Sequence, residues 1–276
     1  MIVFPNCKIN LGLNILRKRS DGYHDLETVF YPIPLTDVLE ITEYKPTEQS
    51  SKIPFTTSGY SLPGVPASNI CVKAYKLIKK DFPKLRFIQM HLHKSVPLGA
   101  GLGGGSADAA FTLQLLNEKF ELNLTTQQLM EYAAELGSDC PFFIHNKPCF
   151  ATGRGELLEE IDIDLTAYKF VIVNPGIHIN TGDAFVKLKP ATPPQSIKNI
   201  ITTPVKNWKN ELFNDFEKVV FKQYREIEDI KDKLYDAGAT YASMSGSGST
   251  VYAIFQKDKK ITLPFPDYYF IKKLAG

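Results

Sequence analysis

The chain carries four cysteines in 276 residues, and no two of them form a Cys-x-x-Cys pair. Cys7, Cys71, Cys140 and Cys149 are too scattered for a disulfide framework or a zinc site, so they read as reduced thiols. Long apolar runs are missing as well. Phe170-Val171-Ile172-Val173 is typical, whereas a bilayer span takes about 18 or more such residues. Charge of one sign is not in excess either: 32 Lys+Arg against 30 Asp+Glu leaves +2. The charges are interspersed and build no basic stripe of the kind that follows a phosphate backbone, which argues against nucleic acid as a partner. Met1-Ile2-Val3-Phe4-Pro5-Asn6-Cys7-Lys8 lacks a basic segment followed by an apolar stretch and a small-residue cleavage site. A cytoplasmic protein with no membrane partner is expected.

What is present is ordinary globular composition, 43% hydrophobic and 22% charged, long enough for one large domain or two modest ones. Ile9, Leu11, Leu13 and Ile15 alternate with Lys8, Asn10, Gly12 and Asn14, which predicts a half-buried strand. Asp21-Gly22 supplies a turn, and further strands follow as far as Ile41. Ala74, Leu77 and Ile78 predict a helix over 69–80, and Ile88, Met90 and Leu92 a strand after it. His91 and His93 share the other face of that strand with no third ligand nearby, so they read as surface residues and not as a metal site.

A helix carrying Ala109, Leu113, Leu116 and Phe120 follows a glycine-rich run. Thr125 with Gln128 makes a capping box for the next helix, which stops at Gly137, and Ser138-Asp139-Cys140-Pro141 opens another. The Gly153-Arg154-Gly155 punctuation and a fresh strand over 169–173 predict a boundary between domains 1–158 and 159–276. In the second half one long helix is expected through Phe216, Val220, Tyr224, Ile227 and Leu234 to Gly238. Two short strands then flank Ser245-Gly246-Ser247-Gly248.

Gly99, Gly101, Gly103, Gly104 and Gly105 place five glycines in seven positions ahead of a helix. Backbone N–H groups free of Cβ atoms at a helix N-terminus suit a phosphate; a plain flexible loop is the alternative. Gly99, Gly101 and Gly104 also satisfy Gly-x-Gly-x-x-Gly, but a second helix follows where a dinucleotide fold returns to a strand. An ATPase P-loop fails because Gly105, not lysine, follows Gly104.

The run Pro97-Leu98-Gly99-Ala100-Gly101-Leu102-Gly103-Gly104-Gly105-Ser106-Ala107-Asp108-Ala109-Ala110 resembles the ATP loop of the GHMP small-molecule kinases. Pro5 with Lys8-Ile9-Asn10-Leu11, and Ser245-Gly246-Ser247-Gly248, are similar to that family's other two motifs, in the same order. The resemblance implies a two-domain α+β fold. Its N-terminal ATP domain is ribosomal-protein-S5-like, and its C-terminal domain is a ferredoxin-like α/β sandwich. Asp21-Gly22-Tyr23-His24 and Gly137-Ser138-Asp139-Cys140-Pro141-Phe142-Phe143 are similar to the branch that phosphorylates the 2-hydroxyl of a cytidine-diphosphate-linked methylerythritol, an isoprenoid precursor. Cys7 and Cys140 depart from the alanine and valine usual there, and both substitutions are small.

The resemblance implies ATP with Mg²⁺ as cofactor and a small-molecule acceptor, on a monomer or weak dimer. Asp139 is the expected base and Lys8 the orienting cation, against the plainer readings of a helix N-cap and a solvated lysine. Asn10 shares a strand face with Lys8 and is a substrate-positioning candidate. Pro97, Gly99, Ala100, Gly101, Leu102, Gly103, Gly104, Gly105 and Ser106 are expected around the phosphates, with Ser106 also a candidate for Mg²⁺. The resemblance sets Lys94 and Asn69 toward the nucleoside, though a strand-end lysine and a helix cap fit them equally. Tyr23 and Phe185 are expected to stack on a pyrimidine, with core packing the alternative for Phe185, and His24 to meet its edge. Ser245, Gly246, Ser247 and Gly248 are expected near the phosphates and the acceptor group, unless they form a plain hairpin turn. Rival readings are a kinase of a homoserine- or mevalonate-like alcohol, a non-catalytic nucleotide-binding regulator, and a dinucleotide oxidoreductase.

Overall fold

The computed structural model describes residues 1–45 and 53–275. Strands β1 (Ile2–Val3), β2 (Asn6–Lys18), β3 (His24–Thr36), β4 (Val38–Glu43) and β5 (Phe55–Gly59) precede helix α1 (Ile70–Asp81) and strand β6 (Ile88–Lys94). Helices α2 (Gly104–Lys119), α3 (Thr126–Leu136) and α4 (Cys140–His145) lead to β7 (Cys149–Thr152), β8 (Leu157–Glu160) and β9 (Tyr168–Asn174). Helices α5 (Thr181–Lys187), α6 (Ile197–Ile200), α7 (Val205–Glu211), α8 (Glu217–Gln223) and α9 (Arg225–Asp236) come before β10 (Tyr241–Met244), β11 (Val251–Gln256) and β12 (Phe270–Ala275). Among the described residues no helix is long and apolar enough to cross a membrane.

The chain divides into two compact units that interleave in sequence. The first comprises Met1–Cys7, Leu35–Leu98 and Gly103–Asn146, and the second Lys8–Pro34, Gly99–Leu102 and Lys147–Gly276. This division does not fall at residue 158, because β2, β3 and β7 lie ahead of that point, β8 runs across it, and the four form one sheet that belongs mostly to the second unit.

In the first unit the sheet order is β1-β4-β6-β5, antiparallel except where β5 runs parallel to β6. Ile88, Met90 and Leu92 are buried, as the alternation requires. His91 and His93 both reach Ser58 Oγ, at 2.9 Å each. Helix α1 starts where the Asn69 side chain accepts the Cys71 amide, and α3 starts at the Thr125–Gln128 capping box. Helix α2 buries residues around most of its circumference, from Ala107 to Leu116, as a central helix does.

The second unit holds two sheets, β2-β3-β7-β8 and the antiparallel β10-β11-β9-β12. With β9 to β12 numbered in chain order, the latter has the spatial order of a ferredoxin-like split βαβ. Its second crossover, residues 257–269, contains no helix. Two expectations change here. Strand β2 is buried on both faces, not one, because its polar side chains find partners inside: Asn10 donates to Thr28 Oγ1 (3.0 Å) and Asn14 to Glu27 Oε1 (3.0 Å). The long helix is two helices. Tyr224, at φ −132° and ψ 81°, closes α8 through its N–H on Val220 O and opens α9 through its own carbonyl, which accepts from Ile227. Val220, Ile227 and Leu234 nonetheless join one core with Val171, Val173 and Phe255, so the apolar spacing reports the shared face and misses the break.

Candidate active site

The head of α2 is built to leave amides uncapped. Its N-cap, Gly103, is left-handed at φ 69° and provides no side-chain cap, so the first N–H groups of a 16-residue helix are available to an anion. Gly99 and Gly101 are also left-handed, at φ 58° and 78°, a conformation that favours glycine. Ser106, in the first turn, lies against the Cys140 thiol and partly offsets the rise to about 12 that burial imposes on it. That contact holds the start of α4 beside the start of α2.

Asp139 is half-buried at the N-cap of α4, yet its side chain makes no capping hydrogen bond. The helix opens instead through Cys140 N–H on Gly137 O at 3.1 Å. The cap reading of Asp139 is therefore not realised, whereas that of Asn69 is.

Lys94 is 2% exposed, and its ammonium donates to Asp37 Oδ2 and, at 2.7 Å, to Asp108 Oδ2. Burial pushes the Asp108 carboxyl well above the ordinary range, the Lys94 charge pulls it down and the Asp37 charge pushes it up again. Asp108 Oδ1 meets no hydrogen-bond donor. A carboxyl whose pKa is raised by folding binds more protons folded than unfolded, so its contribution to stability is complete in acid and lost as pH rises. Asp108→Asn is accordingly expected to flatten the fall in melting temperature between about pH 5 and about pH 8. Parallel melts of both proteins across that range check it, and equal slopes would remove Asp108 as the titrating group.

In the second unit Lys8 is 4% exposed and Asn10 2% exposed. Lys8 is thus not a solvated lysine. Its Nζ donates to Asn10 Oδ1 at 2.6 Å, approaches Gly101 O at 3.5 Å and lies 4.8 Å from the centre of the Phe30 ring. Its backbone N–H reaches Leu102 O at 3.0 Å. Ser245 Oγ donates to Gly101 O at 2.8 Å and accepts the Asn10 N–H at 3.3 Å. Asn214 holds the next residues by donating to Met244 O and Gly246 O at 2.7 and 2.8 Å. The Ser245–Gly248 segment is thus tied to residues 10 and 101, which a plain hairpin turn would not require. Ser247 Oγ meets Thr181 Oγ1 at 2.8 Å.

Tyr23 is 55% exposed, with the Arg154 guanidinium 4.7 Å from its ring centre. His24 stacks on Phe185 at 4.8 Å and 14°, and Phe185 sets its edge on Phe216. Phe185 therefore serves the core and His24 at once. Burial, with Lys18 nearby, holds the His24 imidazole below its ordinary value, favouring the neutral ring that both donates and accepts. Among the described residues no group of three or more His, Cys, Asp and Glu side chains could hold a metal ion.

Asp37, Thr28 and Asn214 carry no motif signal, since each acts through a partner distant in sequence. A charged residue inside the apolar stretch Ala107-Asp108-Ala109-Ala110 was the available signal for Asp108.

Residues 69–147 match the GHMP kinases N terminal domain and residues 196–262 the GHMP kinases C terminal domain. A 4-diphosphocytidyl-2-C-methyl-D-erythritol kinase of Bacteroides fragilis is 55% identical, over 95% of this chain and 94% of its own length. One of the same name from Bacteroides thetaiotaomicron is 51% identical, over 97% and 96%. The crystal structure of a 4-(cytidine 5'-diphospho)-2C-methyl-D-erythritol kinase superposes with a TM-score of 0.80 at 26% identity, covering 100% of both chains. Motifs in order, both family domains and relatives matched nearly end to end agree: the chain belongs to the GHMP kinases and, among them, to the 4-diphosphocytidyl-2-C-methyl-D-erythritol kinase family.

Proposed function

We propose that the chain transfers the γ-phosphoryl group of ATP to the 2-hydroxyl of 4-diphosphocytidyl-2-C-methyl-D-erythritol, releasing ADP and the 2-phosphate. The hydroxyl oxygen bonds to phosphorus as the bond to the β,γ-bridging oxygen breaks, and the hydroxyl proton passes to the Asp139 carboxylate. Lys8, oriented by Asn10, directs the acceptor oxygen. The α2 head receives the phosphates, with Asn69 and Lys94 on the nucleoside side, while Tyr23, His24 and Phe185 take the cytosine. Gly246 and Gly248 admit the acceptor's approach, flanked by Ser245 and Ser247. Mg²⁺ carried by a triphosphate would need only one or two protein oxygens. The Ser106 hydroxyl would be its protein ligand, and the ion would supply positive charge to the transferring group. Phosphoryl transfer asks mainly for such positioning and charge.

The observation that carries this reading is the Ser106–Cys140 contact, which keeps an uncapping aspartate, Asp139, beside the helix head suited to phosphates. The test is ADP and monophosphorylated product from ATP, Mg²⁺ and the cytidine-linked acceptor, with homoserine and mevalonate as controls. Well-folded protein giving no product, or preferring a control, would overturn it.

Tyr23→Leu is expected to raise KM for the acceptor about tenfold, since a base stack contributes about 1–3 kcal/mol. KM for ATP should stay put. Steady-state kinetics with each substrate varied measures both, and an unchanged acceptor KM would remove Tyr23 from the cytosine site.

A further inference from the structure

Three buried side chains of the first unit bind together the two ends of the chain segment that carries the glycines. On the near side, Asp37 Oδ1 accepts the Ser95 and Val96 amides at 2.6 and 2.9 Å, fixing the backbone as it leaves β6. Lys94 then joins Asp37 to Asp108, a residue of α2 on the far side of the glycines. Gly104 lies directly over this link. A Cβ there would stand 3.2 Å from Lys94 Nζ and 3.1 Å from Val96 Cγ1.

Apolar side chains of similar volume commonly hold a fold as well as a buried ion pair, or better, because desolvating the charges is costly. What charges add is fixed direction, and here the directed bonds run from the backbone before the glycines through Asp37 and Lys94 to the helix after them. Every donor position of the Lys94 ammonium that is accounted for serves these carboxylates.

We propose that Lys94, Asp37 and Asp108 are a positioning triad that sets the phosphate-facing amides at the head of α2, and that Lys94 acts through that backbone without touching the nucleotide. The proposal rests on the ATP reading above and revises one part of it, the place of Lys94 on the nucleoside side.

The test compares affinities for ATP and for adenosine, which lacks phosphates, by calorimetry on the full chain, together with kcat. In K94M/D108N, which removes the cation and one carboxylate together, ATP affinity is expected to fall at least tenfold and kcat to fall with it. Adenosine affinity should change less than twofold. Asp108→Asn alone, which keeps an acceptor for Lys94, should lie between this variant and wild type. If K94M/D108N does not fold, Lys94→Arg reads the same ratio, because its longer planar head does not fit beneath Gly104. ATP and adenosine weakening in step would mean a direct nucleoside contact and overturn the proposal. Unchanged ATP affinity and kcat in folded variants would overturn it too, leaving the triad only structural. A wild-type protein that binds ATP no better than adenosine would instead refute the phosphate reading itself.

Discussion

Asp139→Asn is expected to lose about 10²–10⁴-fold in kcat while KM for ATP and for the acceptor each move less than a few-fold. Asparagine keeps the size and polarity of the side chain and removes only its ability to take a proton and its charge. Asp139 makes no capping bond at α4, and asparagine suits an N-cap position as well as aspartate does. A melting temperature within a degree or two of wild type would therefore separate chemistry from stability. An ordinary aspartate is a weak base toward an alcohol, so the proton moves late, once the acceptor oxygen is bonding to phosphorus and has become acidic. For that reason the loss should be largest in single-turnover chemistry and absent from ligand affinity. Near-normal turnover in the folded variant would remove Asp139 as the base, leaving alignment and electrostatics as the whole of the catalysis.

What the sequence made legible was whatever is encoded locally. The capping box at Thr125, the cap at Asn69 and the glycines ahead of α2 each act within a few residues, and all three are found where the residues put them. Local signals do not report what comes from afar. Alternation along β2 correctly sorts its side chains to two faces. It cannot reveal that Thr28 and Glu27 of the next strand meet Asn10 and Asn14 and let the polar face be buried too. Spacing across 216–234 records which residues reach one core, and Tyr224 satisfies that spacing while its backbone leaves the helix.

The same limit applied to the candidate site. Lys94 reads equally as a nucleoside contact and as the strand-end lysine it is, and neither reading reveals its partner Asp37, 57 positions away. Lys8 belongs to a motif by resemblance, while its burial and its bond to Asn10 arise from the fold. Chain order also suggested two consecutive halves, whereas pairing of β3 with β7 draws residues on either side of the α1–α4 segment into one unit.

Gly101→Ala should be the most destabilising single methyl group in the motif. Residue 101 sits at φ 78°, where an L side chain costs about 1–2 kcal/mol before any contact is counted. The added Cβ would then stand 2.0 Å from Ser245 O, 2.9 Å from its carbonyl carbon and 3.2 Å from Gly248 O. Those atoms are backbone, so no rotamer change relieves the overlap. The segment must shift, and with it go the Ser245 Oγ bond to Gly101 O and the approach of Lys8 to the same carbonyl. Together these put the loss at about 4 kcal/mol or more, or a melting temperature lower by roughly 8–16 °C. Gly105→Ala is the contrasting case. A Cβ there meets nothing within 4 Å and φ is ordinary, so the helix should gain slightly from alanine. Any rise in its KM for ATP would then report a phosphate approaching the backbone at that point, since no protein atom resists the methyl group. Melting curves and ATP kinetics on the two variants, measured side by side, decide the matter. Equal stability of Gly101→Ala and wild type would mean that the Ser245 loop does not press on residue 101 in solution, and the tie between the second and third motifs would have to be abandoned.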